Sequence, residues 1–501
     1  MRFTVVSLCV ALTAACATTG TGNDDPEGSA LPRYHALGSP TDEPLGGQPP
    51  EGAQPSQVDF DYQVKYQRAF EAVLWAMPAA SIHRFRAAAF EHLGLDNNDI
   101  IAYSAAATPR LEALTANSST PYIAAYADLR QGPVVLEVPA AGPDGQLYGQ
   151  VVDAWQSTIA DVGPKGADRG KGGKYLLTPP DYEQPVPAGY IQVPSPNYLV
   201  SLGFRSIVMP GKTQQNAVDF SHRLRMYNLD EAANPPQQRF VDPVGDRYPT
   251  TPFYDERFFD DLYDIVTVEP VRPIDKQMVG KLESLGIVRG RPFEPDDTAK
   301  RAMRQAAIDA WYYLQNYFDH LPAHRFYWPD RHYASLLMAD NKRAFDYEYD
   351  DSIDITGRAA QFMWCTYVPA VLADDPATQY MMAMADSDGN LLEAGKTYKV
   401  DIPAQMPVEQ FWAVTVYDRA TFGFIYADPP RTTLSSYDLE SMRKNPDGSV
   451  TLYVGPAAPD GMESNWIPTA DKRPLPAVRF YGPTAEFNDK TFKMPDFTLV
   501  R

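Results

Sequence analysis

Apolar and polar positions change period three times along this chain, and each change predicts a different kind of element. From Tyr62 to Leu93 apolar side chains recur at helical spacing, with Tyr66, Phe70, Val73, Leu74 and Met77 on one stripe. Pro78 predicts a break or kink inside that helix, because proline removes a donor and crowds the preceding turn. From Asp99 to Met209 the pattern becomes short apolar runs punctuated by Gly and Pro, which predicts strands. The runs are Asp99–Tyr103, Pro121–Leu129, Pro133–Val138, Gln146–Trp155 and Tyr198–Met209, with Asp144-Gly145 as a hairpin turn. Helical spacing returns over Thr213–Tyr227, Asp255–Val266, Asp275–Leu285 and Asp296–Phe318, the last opening on acids as the helix dipole favours. Beyond Tyr347 the pattern is again β, with strands predicted at Gln379–Ala385, Thr397–Ile402, Gln410–Tyr417, Val450–Val454 and Val478–Tyr481. Asp386–Gly389 and Asn445–Gly448 read as turns, and Phe362–Tyr367 as a buried strand.

This order predicts a mainly β protein with helical segments: a β domain over 59–210, a helical connecting region over 211–346 and a second β domain over 347–501. Both β domains are expected to be mainly antiparallel, since the chain lacks the βαβ alternation of a parallel sheet. Upstream, Met1-Arg2 followed by the apolar Phe3–Ala15 reads as an export signal. Leu12-Thr13-Ala14-Ala15-Cys16 resembles a lipobox, which makes residues 1–16 the signal and Cys16 the lipidation site; cleavage after Ala17 is the rival reading. The Gly-, Pro- and acid-rich residues 17–58 then form a flexible tether. The expected location is the periplasm or outer membrane of a bacterial envelope, held to the membrane through lipid alone.

Composition narrows the partners. Of 501 residues, 44 are Lys or Arg and 64 are Asp or Glu, a net charge of −20 that argues against nucleic-acid binding. Three cysteines leave only Cys365 as a free thiol in the mature chain, so no intrachain disulfide supports the fold, and Cys365 is expected in the core. The sequence lacks GxSxG, HExxH, CxxC and a phosphate-binding GxxxxGK[ST], and no cofactor or metal is expected.

Four constellations carry candidate chemistry. Gly163–Lys174 gathers Lys165, Arg169, Lys171 and Lys174 among glycines, which suits an anion or, more simply, an exposed loop. His320, His324 and His332 are read as helix-end polar residues, and Asp346, Glu348, Asp350, Asp351 and Asp354 as a solvated face rather than a Ca²⁺ site. The fourth set lies on or beside strand ends: Asn117, Tyr126, Asp128, Asp153, Asp418 and Arg479. Carboxylates at a cleft can serve as acid and base, so Asp153 and Asp418 with Arg479 form the candidate catalytic set. Asn117, Tyr126, Trp155, Trp412, Tyr417 and Trp466 are the candidate substrate contacts.

Residues 117–139 (NSSTPYIAAYADLRQGPVVLEVP), Tyr148 through Trp155 and Gly173 through Leu177 resemble domain of unknown function 1254. Phe411 through Asp418, Asn445 through Tyr453, Asn465-Trp466 and Arg479 through Pro483 resemble domain of unknown function 1214. Two stretches depart from the family pattern, Gly203-Phe204-Arg205 and the Ala413 after Phe411-Trp412, and both are changes that can reshape a pocket. The resemblance implies two antiparallel β-sandwich or jelly-roll-like domains joined through helices, and no reaction. Three functions stay open: a hydrolase acting on a small molecule or glycan in an interdomain cleft, a non-catalytic carbohydrate- or ligand-binding module, and a structural envelope protein. Self-association into a homo-oligomer is open as well.

Overall fold

The long helix expected from Tyr62 runs as Phe60–Leu93, and it passes through Pro78 without breaking. Every residue from Ala72 to Ile82 is buried, so the helix is enclosed on all sides where the proline falls. Neighbours supply polar contacts there: Gln156 Nε2 donates to the Pro78 carbonyl at 2.7 Å and to Ser81 Oγ at 2.6 Å. The computed structural model describes residues 47, 53–56, 58–337, 347–367 and 378–501. The signal stretch with Cys9 and Cys16, nearly all of the expected tether, and Asp346 lie outside the described residues. Residues 61–501 form one compact unit.

Its described residues are mainly β with helices. A first sheet orders the strands Phe240–Val241, Ile100–Ala102, Tyr122–Asp128, Leu199–Ile207, Gln146–Val152 and Thr158–Val162. A second orders Arg225–Asn228, Val134–Val138, Gly173–Thr178 and Tyr190–Pro194. In the C-terminal half a third sheet orders Tyr333–Ser335, Thr378–Ala383, Pro474–Pro483, Val408–Asp418 and Thr433–Ser435. The fourth orders Trp466–Pro468, Val450–Gly455, Tyr398–Ile402 and Thr498–Leu499.

The alternation of side chains decides what each sheet face does. Ile123, Ala125 and Ala127 join Val134, Leu136 and Leu177 in a core drawn from the first and second sheets. Trp412, Val414, Val478 and Phe480 join Val400 and Leu452 in a core drawn from the third and fourth. The opposite faces of the first and third sheets, carrying Ala124, Tyr126, Ala413, Ala477 and Tyr481, share one large core with the long helix. That core also takes in the helices Arg257–Val268, Asp297–Asp319 and Ile355–Trp364. Strands with two buried faces explain why Phe411–Tyr417 reads as an unbroken apolar run.

Most strand pairs are antiparallel, as expected, with Phe240–Val241, Tyr190–Pro194 and Trp466–Pro468 pairing parallel to their neighbours. Three expectations change. Asp144-Gly145 ends a local turn bridged from Gly142 to Gly145, but the strands on its two sides enter different sheets, so it is no hairpin. The helix predicted at Thr213–Tyr227 stops at Ser221, and Arg225–Asn228 is a strand paired with Val134–Val138. Phe362–Tyr367 is no strand: Phe362–Trp364 ends the helix Ile355–Trp364, and the Cys365 N–H bonds to the Gln361 carbonyl as its cap. At Arg225–Asn228 the pairing with Val134–Val138 overrode the local pattern. Cys365 is buried and free, and burial pushes its thiol up to about 12.

Candidate functional site: a cavity between the two β regions

Where the outer faces of the first and third sheets meet, they leave a cavity of about 100 Å³. The wall from the first sheet follows from register. Tyr122 pairs with Arg205, Ala124 with Gly203, Tyr148 with Arg205 and Gln150 with Gly203, so these side chains share the face turned away from the inner core. Phe204, between Gly203 and Arg205, points mainly to the other side and sits in the inner core. On the third sheet Thr378 pairs with Tyr481 and Tyr380 with Arg479, again on one face. Phe85 from the long helix, with Ile101, Leu111, Leu114 and Leu336, gives the cavity its apolar side.

The polar side is built from arginine and tyrosine. The Arg205 guanidinium lies 5.8 Å from the ring centres of both Tyr122 and Tyr380. Arg479, 1% exposed, stands behind Tyr380 with its guanidinium 4.5 Å from the same ring. Arg479 Nη2 donates to the carbonyls of Thr115 and Ala116 at 2.9 and 3.0 Å and to the Tyr417 hydroxyl, while Nε and Nη1 have no hydrogen-bond partner. Among the described residues, no Asp, Glu, Lys or His lines the cavity.

The two arginines set the electrostatics. Burial pushes the Tyr380 hydroxyl up, yet Arg205 and Arg479 together outweigh it and hold its pKa below the ordinary tyrosine value. Burial raises the Tyr481 and Tyr417 hydroxyls instead. Five side-chain oxygens of cavity-lining residues are buried without a hydrogen-bond partner: those of Thr366, Tyr367, Thr378, Tyr380 and Tyr481. Tyr380 lies near enough to Thr378 and Tyr481 for them to favour its ionised form, without reaching hydrogen-bond geometry.

None of the nine residues expected from the sequence lines the cavity, although Arg479 stands directly behind it. Asp153 Oδ1 accepts the N–H groups of Trp155 at 2.8 Å and Ser157 at 2.9 Å, a turn-forming arrangement. Asp418 Oδ1 accepts from the Ala420 N–H at 3.0 Å in the same manner. The expected convergence of one of these carboxylates on the main cavity is therefore not what the fold produces. Asn117 is fully buried and closes its own turn, accepting from Ser119 N–H at 2.8 Å and donating to Thr120 Oγ1 at 2.8 Å. Tyr126 packs edge-on against Phe90, and Tyr417 donates to the Ala116 carbonyl at 2.5 Å. Trp155 packs on Trp75 with ring centres 4.9 Å apart, Trp412 belongs to the core between the third and fourth sheets, and Trp466 donates to the Gly455 carbonyl at 2.9 Å.

Reasoning from sequence gave no site role to Tyr380 or Tyr481, and it marked Arg205 only as part of a stretch able to reshape a pocket. Their signal was an arginine inside the apolar strand Leu199–Ile207 and a Thr-x-Tyr alternation in Thr378–Ala383. The glycine-rich basic loop is organised by its own acid: Asp168 accepts from the N–H groups of Gly163 and Gly172 and from the Tyr175 hydroxyl. Its interior is thus already occupied by a carboxylate. Asp354 caps the helix Ile355–Trp364 through the Gly357 N–H and pairs with Arg325. His332 faces Asp496 and His320 turns to the Asn316 carbonyl. Among the described residues no group of three or more His, Cys, Asp and Glu side chains is placed to hold a metal ion.

Residues 97–228 match the family model "Protein of unknown function (DUF1254)", and residues 377–485 match "Protein of unknown function (DUF1214)", in that order. These are the two families whose motifs the sequence resembles. No curated protein matches. Among solved structures, the VPA0106 protein from Vibrio parahaemolyticus is similar with a TM-score of 0.52 at 18% identity, over 87% of this chain and 100% of that one. A putative uncharacterized protein from Burkholderia cenocepacia aligns over 88% of this chain and 96% of its own, at 14% identity and a TM-score of 0.39. The likeness to the Vibrio protein shows a shared fold.

Proposed function

We propose that this protein binds a small organic molecule in the cavity between its two β regions. The observation that supports this reading is the set of five unsatisfied buried oxygens carried by residues that line one cavity. A buried polar group left without a partner costs roughly 1–3 kcal/mol, so such groups gathered at one cavity are explained best by a molecule that satisfies them. The apolar part of the lining suits an aromatic or aliphatic body. Hydrolysis by Asp153 or Asp418 is the weaker reading, since both carboxylates serve turns away from the cavity.

The test is to fill the cavity. Ala124 is 6% exposed on its wall, and Ala124→Phe places a ring inside. A thermal-shift screen of small organic molecules is expected to find ligands that stabilise the natural protein and leave Ala124→Phe unmoved. Ligands that stabilise both alike would place binding elsewhere and end this reading.

The two paired-sheet bodies are read as sandwich-like, on the strength of cores drawn from both members of each pair. Export with lipid on Cys16 is proposed from Met1-Arg2, the apolar Phe3–Ala15 and the small residues before Cys16. Incorporation of labelled fatty acid in the natural protein, and none in Cys16→Ser, is the expected result. No helix among the described residues is long and apolar enough to cross a membrane.

A further inference from the structure

We propose that the molecule held in this cavity is a monocarboxylate, with its carboxylate on the Arg205 guanidinium and its apolar body against Leu111, Leu114 and Phe85. This rests on the cavity being a binding site and goes further by naming the chemistry of the ligand. The first observation is how Arg205 differs from other buried or half-buried arginines, which meet an acid or, like Arg358 and Arg479, backbone carbonyls. Arg84 pairs with Asp261 and Glu91, Arg272 with Asp275, Arg419 with Asp319, and Arg325 with Asp354. Arg205 lines the cavity, and among the described residues it has neither an ion pair nor a hydrogen bond; only the rings of Tyr122 and Tyr380 flank it. A guanidinium is charged at any ordinary pH, and burying it without a counter-charge is costly. The missing partner is an anion.

The second observation is what surrounds it. Nε and Nη1 of Arg479 are also unpartnered, so a second positive charge stands behind Tyr380 and strengthens the field. The hydroxyls of Thr378, Tyr380 and Tyr481, none with a hydrogen-bond partner, are further polar groups beside the cavity. Only one guanidinium opens on the cavity, and no lysine or histidine joins it among the described residues. That fits a single negative charge and a planar head matching the fork of an arginine. A phosphate dianion would need more donors than this wall offers. The depressed pKa of Tyr380 reports the same uncompensated positive field.

Isothermal titration of the full chain with benzoate, phenylacetate and octanoate, each against its neutral amide, tests this directly. At least one carboxylate is expected to bind about tenfold or more tightly than its amide, the scale of a charged hydrogen-bonded pair. Arg205→Met keeps the apolar stem and removes the charge. It is expected to abolish that preference while melting at or above the natural protein, because a half-buried charge without a counter-charge has gone. Amides binding as well as carboxylates would overturn the carboxylate and leave the cavity reading standing. Tighter binding of phenyl phosphate would replace the carboxylate by a phosphate ester. An Arg205→Met protein that melts well below the natural one would make Arg205 a structural residue, and failure of every compound, amides included, would overturn both readings.

Discussion

Two places in this protein set a pair of arginines around one ionisable oxygen group, and they are finished to different degrees. At the end of the helix Asp297–Asp319, the Asp319 carboxylate accepts from Arg419 Nη2 at 2.8 Å and from Arg473 Nη1 and Nη2 at 3.0 and 2.9 Å. Burial raises this carboxyl, but Arg473 and Arg419 outweigh it and hold it below the usual aspartate range. The group tying the helix to the strand ends at Asp418 and Pro474 is therefore ionised and paired. At the cavity, Arg205 and Arg479 flank Tyr380, a phenol whose hydroxyl has no hydrogen-bond partner, and no carboxylate lines the cavity among the described residues. The first cluster is complete by itself and holds elements together. The second is complete only when something enters. Within one chain, charge balance separates an arginine used for architecture from one that awaits a ligand.

The largest effect expected from this contrast is at Asp319. Asp319→Asn leaves two guanidiniums without their counter-charge, and Arg419 is 3% exposed. Removing one partner of a fully buried pair costs about 3–5 kcal/mol; with Asp319 and Arg473 partly open to water, the loss here is expected near 2–3 kcal/mol. Urea unfolding measures it, and carboxylate binding in the cavity should not change. An Asp319→Asn protein as stable as the natural one would erase the distinction between the clusters.

How much of this was legible in the sequence follows from the range of the interactions. Strands such as Tyr122–Asp128 and Val408–Asp418 announced themselves because burial imposes a local pattern that sequence carries. The helix ending at Trp364 did not, since its apolar run is equally good strand sequence and only packing against Phe318 and Phe422 decides. The short strand Arg225–Asn228 exists through its pairing with Val134–Val138, a contact across many residues. The site was least legible of all. Attention to carboxylates beside strand ends found turn formers, because Asp is the residue that closes turns as well as the residue that does chemistry. Arg205 stood out only as part of a departing stretch, and its role needed Tyr380 and Arg479, distant in sequence, beside it.

A second prediction sharpens the comparison through pH. With its folded pKa below the free tyrosine value, Tyr380 loses its proton earlier in the native state than in the unfolded one. The stability this contributes is present above the unfolded value and is lost as pH falls through the folded one. Tyr417 and Tyr481, both raised, act in the opposite sense at high pH, so unfolding curves alone would mix the two effects. Tyrosinate absorbance separates them. The earliest-ionising buried tyrosine should vanish in Tyr380→Phe and move to higher pH in Arg205→Met. If neither variant alters the titration, the positive field assigned to the cavity is absent.

The smallest effect is expected from the two aspartates that sequence reasoning favoured. Asp153→Asn keeps a side-chain oxygen able to accept from the Trp155 and Ser157 N–H groups, and Asp418→Asn keeps one for Ala420. Asparagine closes such turns almost as well as aspartate, so each change should cost under about 1 kcal/mol. Neither should shift the affinity for a carboxylate in the cavity, because neither side chain lines it. The outcome that would reverse the assignment is specific: a large loss of ligand affinity or of an identified activity in either variant, with the melting temperature unchanged. Such a result would return the chemistry to the strand ends and make the arginine-tyrosine wall a feature of packing. The comparison between the two arginine pairs predicts instead that charge removed at Asp153 or Asp418 is nearly silent, while charge removed at Arg205 is felt by the ligand alone.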